Sequence, residues 1–199
     1  MTPAERRKYL DDLVPLVARV MQLNGAGAHE EALALITDLQ ARAGQVDCQS
    51  ALLLWQRSIA ADGLKQWADA VQSISQALSL DPWPAPFLGS GRIIRDRVIE
   101  QAQDYPVEDS RVAALCLLLI DNLEVLPNVH ILYARHLLAV GKVEDAAAQV
   151  DAAMAMDANL LDGWMLRAAI ARQRGGNEAE GFAAEFESHL LRTGTKAEA

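Results

Sequence analysis

Three arginines, Arg92, Arg95 and Arg97, follow the glycine-flanked serine in Gly89-Ser90-Gly91. Backbone N–H donors at a helix start, the positive end of the helix dipole and guanidinium groups together bind a phosphate or an acidic side chain. Arg92 and Arg95 are the expected contacts of such an anion or partner. The lysine-containing phosphate loop is absent. Asp96 and Glu100 stand beside the arginines as ready partners, so a solvated, internally paired face is the competing expectation. His130 and His136 are six residues apart, which puts them on different sides of a helix and excludes joint metal ligation by local spacing. His29 and His189 are isolated. No Ser, Cys or Lys stands in a nucleophile motif. Adjacent carboxylates such as Asp11-Asp12 and Glu30-Glu31 are explained by helix-start electrostatics. No catalytic residue, cofactor or metal is expected.

Two further features bear on chemistry. Cys48 and Cys116, the two cysteines, lie in apolar helical contexts and read as small buried hydrophobes of a reduced protein rather than a disulfide. Trp83 and Phe87 are held among Pro82, Pro84 and Pro86 in a stiff, extended segment. That segment either docks onto a partner or folds back to cover a gap in the chain's own packing.

The balance of residues narrows the function class. The chain has 199 residues, 51% hydrophobic, with a net charge of −9. An acidic chain lacks the clustered Lys and Arg that grip nucleic acid, and it is disfavoured at anionic membrane surfaces. The N-terminus lacks the apolar core of a signal peptide, and the longest apolar stretch, Val112 to Ile120, is too short to span a bilayer. A soluble cytoplasmic location is expected. Ala and Leu dominate and β-branched runs are few, which favours helix over strand.

The elements that must position these residues follow from their start and stop signals. Thr2 and Glu5 form a capping box with Pro3 at the first helical position, and Pro15 is expected to kink or divide the helix that runs to about Leu23. Asn24-Gly25-Ala26-Gly27 stops it, and a second helix runs from His29 to Arg42. A third spans about Cys48 to Ala61 and a fourth Trp67 to Leu80, before Asp81-Pro82. Pro82 to Gly91 reads as the one loop-like interruption of the chain. Helices then run from Arg92 to before Tyr105-Pro106 and from Glu108 to Val125. A hairpin from Asn128 to Met156 turns at Gly141, and another from Leu160 to Leu191 turns at Gly175-Gly176. The total is about ten helices in five hairpins, with a frayed tail over 193–199.

One pattern links these segments. Glu30-Glu31-Ala32, Ala68-Asp69-Ala70, Glu144-Asp145-Ala146 and Asn177-Glu178-Ala179 place a small alanine at intervals of 38, 76 and 33 residues. Two antiparallel helices approach closely only where contact residues are small, which suits Ala32, Ala70 and Ala146 to the crossing points. Gly27, Gly141 and Gly175 supply tight turns with positive φ. Large apolar residues four and eight positions later (Ile36, Ile74, Val150; Leu78, Met154) form an inward stripe that only Gln40 breaks. A helical hairpin repeated at that period predicts an all-α solenoid. Its units fall at about 13–46, 51–84, 89–126, 127–160 and 161–192, the middle one degenerate.

At these residues the chain resembles the tetratricopeptide repeat family. The unit from Ala51 to Pro84 matches through Leu54, Ser58, Trp67, Asp69-Ala70, Ala77-Leu78 and Leu80-Asp81-Pro82. The unit from Pro127 to Leu160 matches through Ala134, Gly141, Val143, Asp145-Ala146, Ala153-Met154 and Met156-Asp157. The resemblance implies a right-handed α-solenoid whose concave groove is lined by one face of each first helix. Here that face is Leu52, Trp55, Ile59 and Asp62, then Asn128, Ile131, Arg135 and Leu138, then Met165, Ala169 and Arg172. Family members that hold a terminal carboxylate do so with Lys and Asn. Trp55, Ile59 and Ile131 stand in those places, so an apolar groove with arginine anchors is expected instead. The competing expectation for Trp55 and Ile131 is packing against a neighbouring helix of the same chain.

The resemblance implies a non-catalytic protein–protein interaction module: an adaptor, scaffold or chaperone-like protein that binds a partner peptide or helix. The alternatives are a self-associating structural subunit and a regulatory domain sensing an anionic ligand near Arg92.

Overall fold

The structure, a computed structural model, describes residues 3–42, 51–80, 85–123 and 126–175. Among the described residues the fold is all-helical, with nine helices: α1 (Pro3–Gly25), α2 (His29–Arg42), α3 (Ala51–Gly63), α4 (Trp67–Leu80), α5 (Ala85–Gln103), α6 (Ser110–Asn122), α7 (Pro127–Ala139), α8 (Val143–Met156) and α9 (Leu161–Arg174). The contacts divide the chain into two compact units, Met1–Val98 and Ile99–Ala199. The division falls inside α5, in the segment where the repeat pattern is weakest.

The acidic-Ala pattern has a plain local cause. Glu30 and Glu31, Asp69, and Glu144 with Asp145 occupy the first turns of α2, α4 and α8, where negative charge meets the positive end of the helix dipole. The alanine that follows faces inward: Ala32, Ala70 and Ala146 are fully buried, as are Ile36, Ile74 and Val150 four residues on.

The helix ends before these starts are built in one way three times. Gly27 N donates to Asn24 O (3.1 Å) and Ala28 N to Leu23 O (2.9 Å). Lys65 N donates to Asp62 O (3.0 Å) and Gln66 N to Ala61 O (2.9 Å). Gly141 N donates to Leu138 O (3.1 Å) and Lys142 N to Leu137 O (2.8 Å). Each is a Schellman turn, with its central residue in the left-handed region at φ 75°, 57° and 80°. Positions 27, 65 and 141 repeat the 38- and 76-residue intervals of the alanines. The sequence marks the first and third turns with glycine, but the second uses Lys65, which carries the steric cost of a Cβ in that region. Lys65→Gly is expected to stabilise the protein by about 1 kcal/mol, read as a higher midpoint in urea with an unchanged slope; a lower midpoint would contradict it.

In the first unit α1 packs on α2 and α3, α2 on α3, and α3 on α4. Val17, Val20 and Leu23 of α1 meet Ala32, Ile36 and Leu39 of α2 and Leu53 and Ala60 of α3. In the second unit α6 packs on α7, α7 on both α8 and α9, and α8 on α9. Its core joins Ile131, Ala134 and Leu137 to Ala146, Val150 and Met154 and to Leu166 and Ile170.

Several expectations need correction. Of the kink or division expected at Pro15, the division does not occur: α1 runs as one helix from Pro3 to Gly25. Pro15 is solvent-exposed, so water can satisfy the carbonyl that its missing N–H leaves without a partner. The segment from Ala85 to Gly91 is not a loop but the start of α5. Proline is tolerated in a first turn, and Gly91 is buried where a Cβ would lie 3.6 Å from Leu78 and 3.7 Å from Ile74. The glycine serves helix packing, not chain reversal. Trp83, Cys48, the capping-box residue Thr2, the side chain of Phe87 and the expected helix and tail beyond Gly175 lie outside the described residues.

Asp109, within the degenerate middle unit, is the N-cap of α6. Its carboxylate accepts from Arg111 N (2.9 Å), Arg111 Nε (3.0 Å) and Arg111 Nη2 (2.6 Å). The guanidinium in turn lies 3.9 Å from the Tyr105 ring centroid. The Arg111 side chain, then its backbone N–H, hold the Asp109 carboxyl down at about 2, against an ordinary 3.8. A lowered folded-state pKa gives stability that is full above the unfolded value and is lost as pH falls from 3.8 towards 2. Asp109→Asn, which still caps, should keep most of the neutral-pH melting temperature but flatten its fall over that acid window. Asp109→Ala should lower melting at neutral pH too. A wild-type melting curve with the same acid slope as the Asn variant would contradict this.

Candidate functional site

Helices α3 and α5 are tied by two polar rungs. Trp55 Nε1 donates to Ser90 Oγ (2.7 Å), and Arg97 Nη1 donates to Asp62 Oδ2. Both rungs join residues 35 apart in sequence, and they are separated by seven residues, two helical turns, along each helix. Between them Ile59, Ile93 and Ile94, with His29, Gly63, Ser90, Asp62 and Arg97, line a cleft of about 290 Å³. Ile93 is 53% exposed.

The polar floor of the cleft is set by a chain of hydrogen bonds from α1. Asn24, buried at the end of α1, donates from Nδ2 to Gln56 O (2.9 Å) and Gln56 Oε1 (3.0 Å). Its Oδ1 faces His29 Nδ1 at 3.3 Å. The His29 ring rests directly on Gly63, where a Cβ would come within 2.2 Å of it. Asn24 and Asp62 occupy the same place in their two turns, and the third turn has Leu138 there. The first unit thus buries a polar side chain at a position the second unit fills with leucine. Burial raises the Asp62 carboxyl above its ordinary value, and Arg97 and then His29 pull it back only in part. Asp62 Oδ1 is buried and has no hydrogen-bond partner among the described residues.

The expected groove residues differ widely in exposure. In the first unit Leu52 is exposed, Trp55 and Ile59 are half-buried, and Asp62 is buried. In the second unit Asn128, Met165 and Arg172 are exposed, and Ala169 is half-buried. Arg135 pairs with Asp162 at 3.0 Å, both side chains about half exposed, an arrangement worth under about 1 kcal/mol. Ile131 is 4% exposed inside the core of the second unit, with Leu138 packed against it. Ile131 therefore holds the unit together rather than offering an anchor, and the competing expectation of packing within the chain describes it.

The arginine cluster also needs correction. Arg92 and Arg95 lie well inside α5, which begins at Ala85, so the free N–H donors of a helix start are not beside them. Arg92 is exposed, and Arg95 pairs with Asp96 at 3.1 Å. Arg97 reaches Asp62, a partner whose separation of 35 residues hides it from local reading. The break in the apolar stripe at Gln40 has its reason too. Gln40 Oε1 accepts from Arg57 Nη1 (2.8 Å), while Arg57 grips Asp69 through two bonds of 2.7 and 3.0 Å.

His130 and His136 are engaged in structure. His130 Nδ1 contacts Gln149 Oε1 (2.7 Å) and His136 Nδ1 donates to Val107 O (2.7 Å). Cys116 is buried and free, and burial pushes its thiol up to about 12, far from a nucleophile's range. Among the described residues no group of three or more His, Cys, Asp or Glu is placed to hold a metal, and no helix is long and apolar enough to cross a membrane. Comparison with family models, curated proteins and solved structures returns no significant match.

Proposed function

We propose that this chain is a non-catalytic protein–protein interaction module, a tetratricopeptide-like array of antiparallel helical hairpins that binds an extended partner segment in the cytoplasm. The observation that carries this reading is the α3–α5 cleft, which lies between the first helices of two successive hairpins and is framed by the Trp55–Ser90 and Asp62–Arg97 rungs. The identical turns at Gly27, Lys65 and Gly141 support the hairpin repeat. Contacts of α1 with α3 and of α7 with α9 fit stacked hairpins, in which each first helix touches the next. The cleft combines apolar surface at the half-buried Ile59 and the exposed Ile93 with few, fixed polar groups, the composition of a recognition site. An apolar side chain of the partner would lie between these isoleucines, and its backbone would run across the polar rungs. The buried free thiol of Cys116 suits a reducing compartment.

The test is selection from a displayed library of linear peptides on the immobilised full chain. Wild type should enrich a related set of sequences, and Ile59→Glu with Ile93→Glu, checked for unchanged helical circular dichroism, should lose them. No enrichment, or equal enrichment by the variant, refutes the proposal.

A further inference from the structure

We infer that the α3–α5 cleft selects a carboxamide side chain, Asn or Gln, on the segment it binds. This rests on the reading of the chain as a peptide-binding module, and it follows from the donors and acceptors that the fold leaves open.

Asn24 donates from Nδ2 to two oxygens of Gln56, so its Oδ1 is an acceptor and His29 Nδ1 must be the donor to it. In the neutral ring this leaves His29 Nε2 without a proton, as an acceptor. Asp62 gives Oδ2 to Arg97 and keeps Oδ1 as a second acceptor, buried in a residue 9% exposed. A buried acceptor without a donor is costly to maintain, and a ligand N–H removes that cost. Ser90 Oγ accepts from the Trp55 indole, so its own proton is available to donate. Arg97, with its side chain 51% exposed, has further N–H groups beyond the one given to Asp62.

At the Asp62–Arg97 end of the cleft the two acceptors thus accompany the Arg97 donors, between isoleucine walls, while Ser90 lies two helical turns away at the other end. A carboxylate would meet the Asp62 charge with no proton to share. An ammonium would have to displace the Arg97 guanidinium, which already neutralises Asp62 and repels a second cation. A primary amide offers two N–H groups to Asp62 Oδ1 and His29 Nε2 and one carbonyl to Arg97. Its methylenes lie against Ile59 and Ile93.

Two measurements on the full chain test this. The first repeats the peptide selection with wild type and Asp62→Asn, after melts show both are folded. Wild type should enrich Asn or Gln at one register at least tenfold over Asp, Glu and Lys. In Asp62→Asn the new amide keeps its oxygen on Arg97 and turns its nitrogen to the cleft, so the preference should pass to Asp and Glu. The second titrates ¹⁵N-labelled protein with N-acetylglutamine amide, against N-acetylglutamate amide, and follows the Gly63 and Ser90 amide signals. Only the glutamine compound should shift them. Peptides enriched without an Asn or Gln preference, or a preference unchanged by Asp62→Asn, overturn the inference while leaving the interaction module standing. No enriched peptide, with a glutamine-specific shift at Gly63, supports the carboxamide site and refutes peptide docking.

Discussion

Ile74→Ala is expected to lower the unfolding free energy by about 2–5 kcal/mol, because it removes three carbons from a site that cannot collapse. Ile74 is fully buried one turn after Ala70 in α4, and α5 approaches it closely through Gly91. The first unit therefore loses packing within and between its helices at once. Urea denaturation followed by tryptophan fluorescence gives the value. Leu80→Ala, at a residue 53% exposed on the same helix, should change it by no more than about 0.5 kcal/mol. Equal effects of the two would mean that α4 does not present the face described here.

Asn24→Leu should cost a comparable amount by a different route. The leucine matches the third turn, where Leu138 holds the equivalent place, so the backbone geometry tolerates it. What is lost is the donor to Gln56 Oε1, on a nearly fully buried residue, and a buried acceptor left unpaired costs about 1–3 kcal/mol; Gln56 O loses its second donor but keeps its partner within α3. His29 loses its orienting partner in the same step. Pairing Asn24→Leu with Gln56→Leu should recover part of the loss, since removing both partners of a buried bond is much cheaper than removing one. A double variant as unstable as the sum of the singles would show that the two residues do not act together.

The all-helical fold and its recurring helix ends were legible because they rest on local rules. Ala32, Ala70 and Ala146 are buried, and Gly27, Gly141 and Gly175 take the positive φ expected of them. Lys65 was not legible as a turn residue, since nothing local distinguishes a lysine forced into the left-handed region by the helices around it. The start of α5 was misplaced because proline and glycine read locally as breakers. Packing of Gly91 against Ile74 and Leu78 is a tertiary demand that overrides that preference. Asp62 stood out from the sequence as a face residue, but its meaning did not. Its arginine partner is 35 residues away, and its histidine neighbour is oriented by an asparagine at the end of α1. Burial decided the second unit's candidates, and only the fold could reveal that Ile131 faces inward.

The central claim is that a partner segment docks between α3 and α5. Chemical-shift mapping of ¹⁵N-labelled full chain with a selected peptide tests it most directly. The Trp55 indole and the amides of Gly63, Ser90 and Ile93 should respond first and saturate together. Shifts confined to residues 126–175, with those four unmoved, would contradict it.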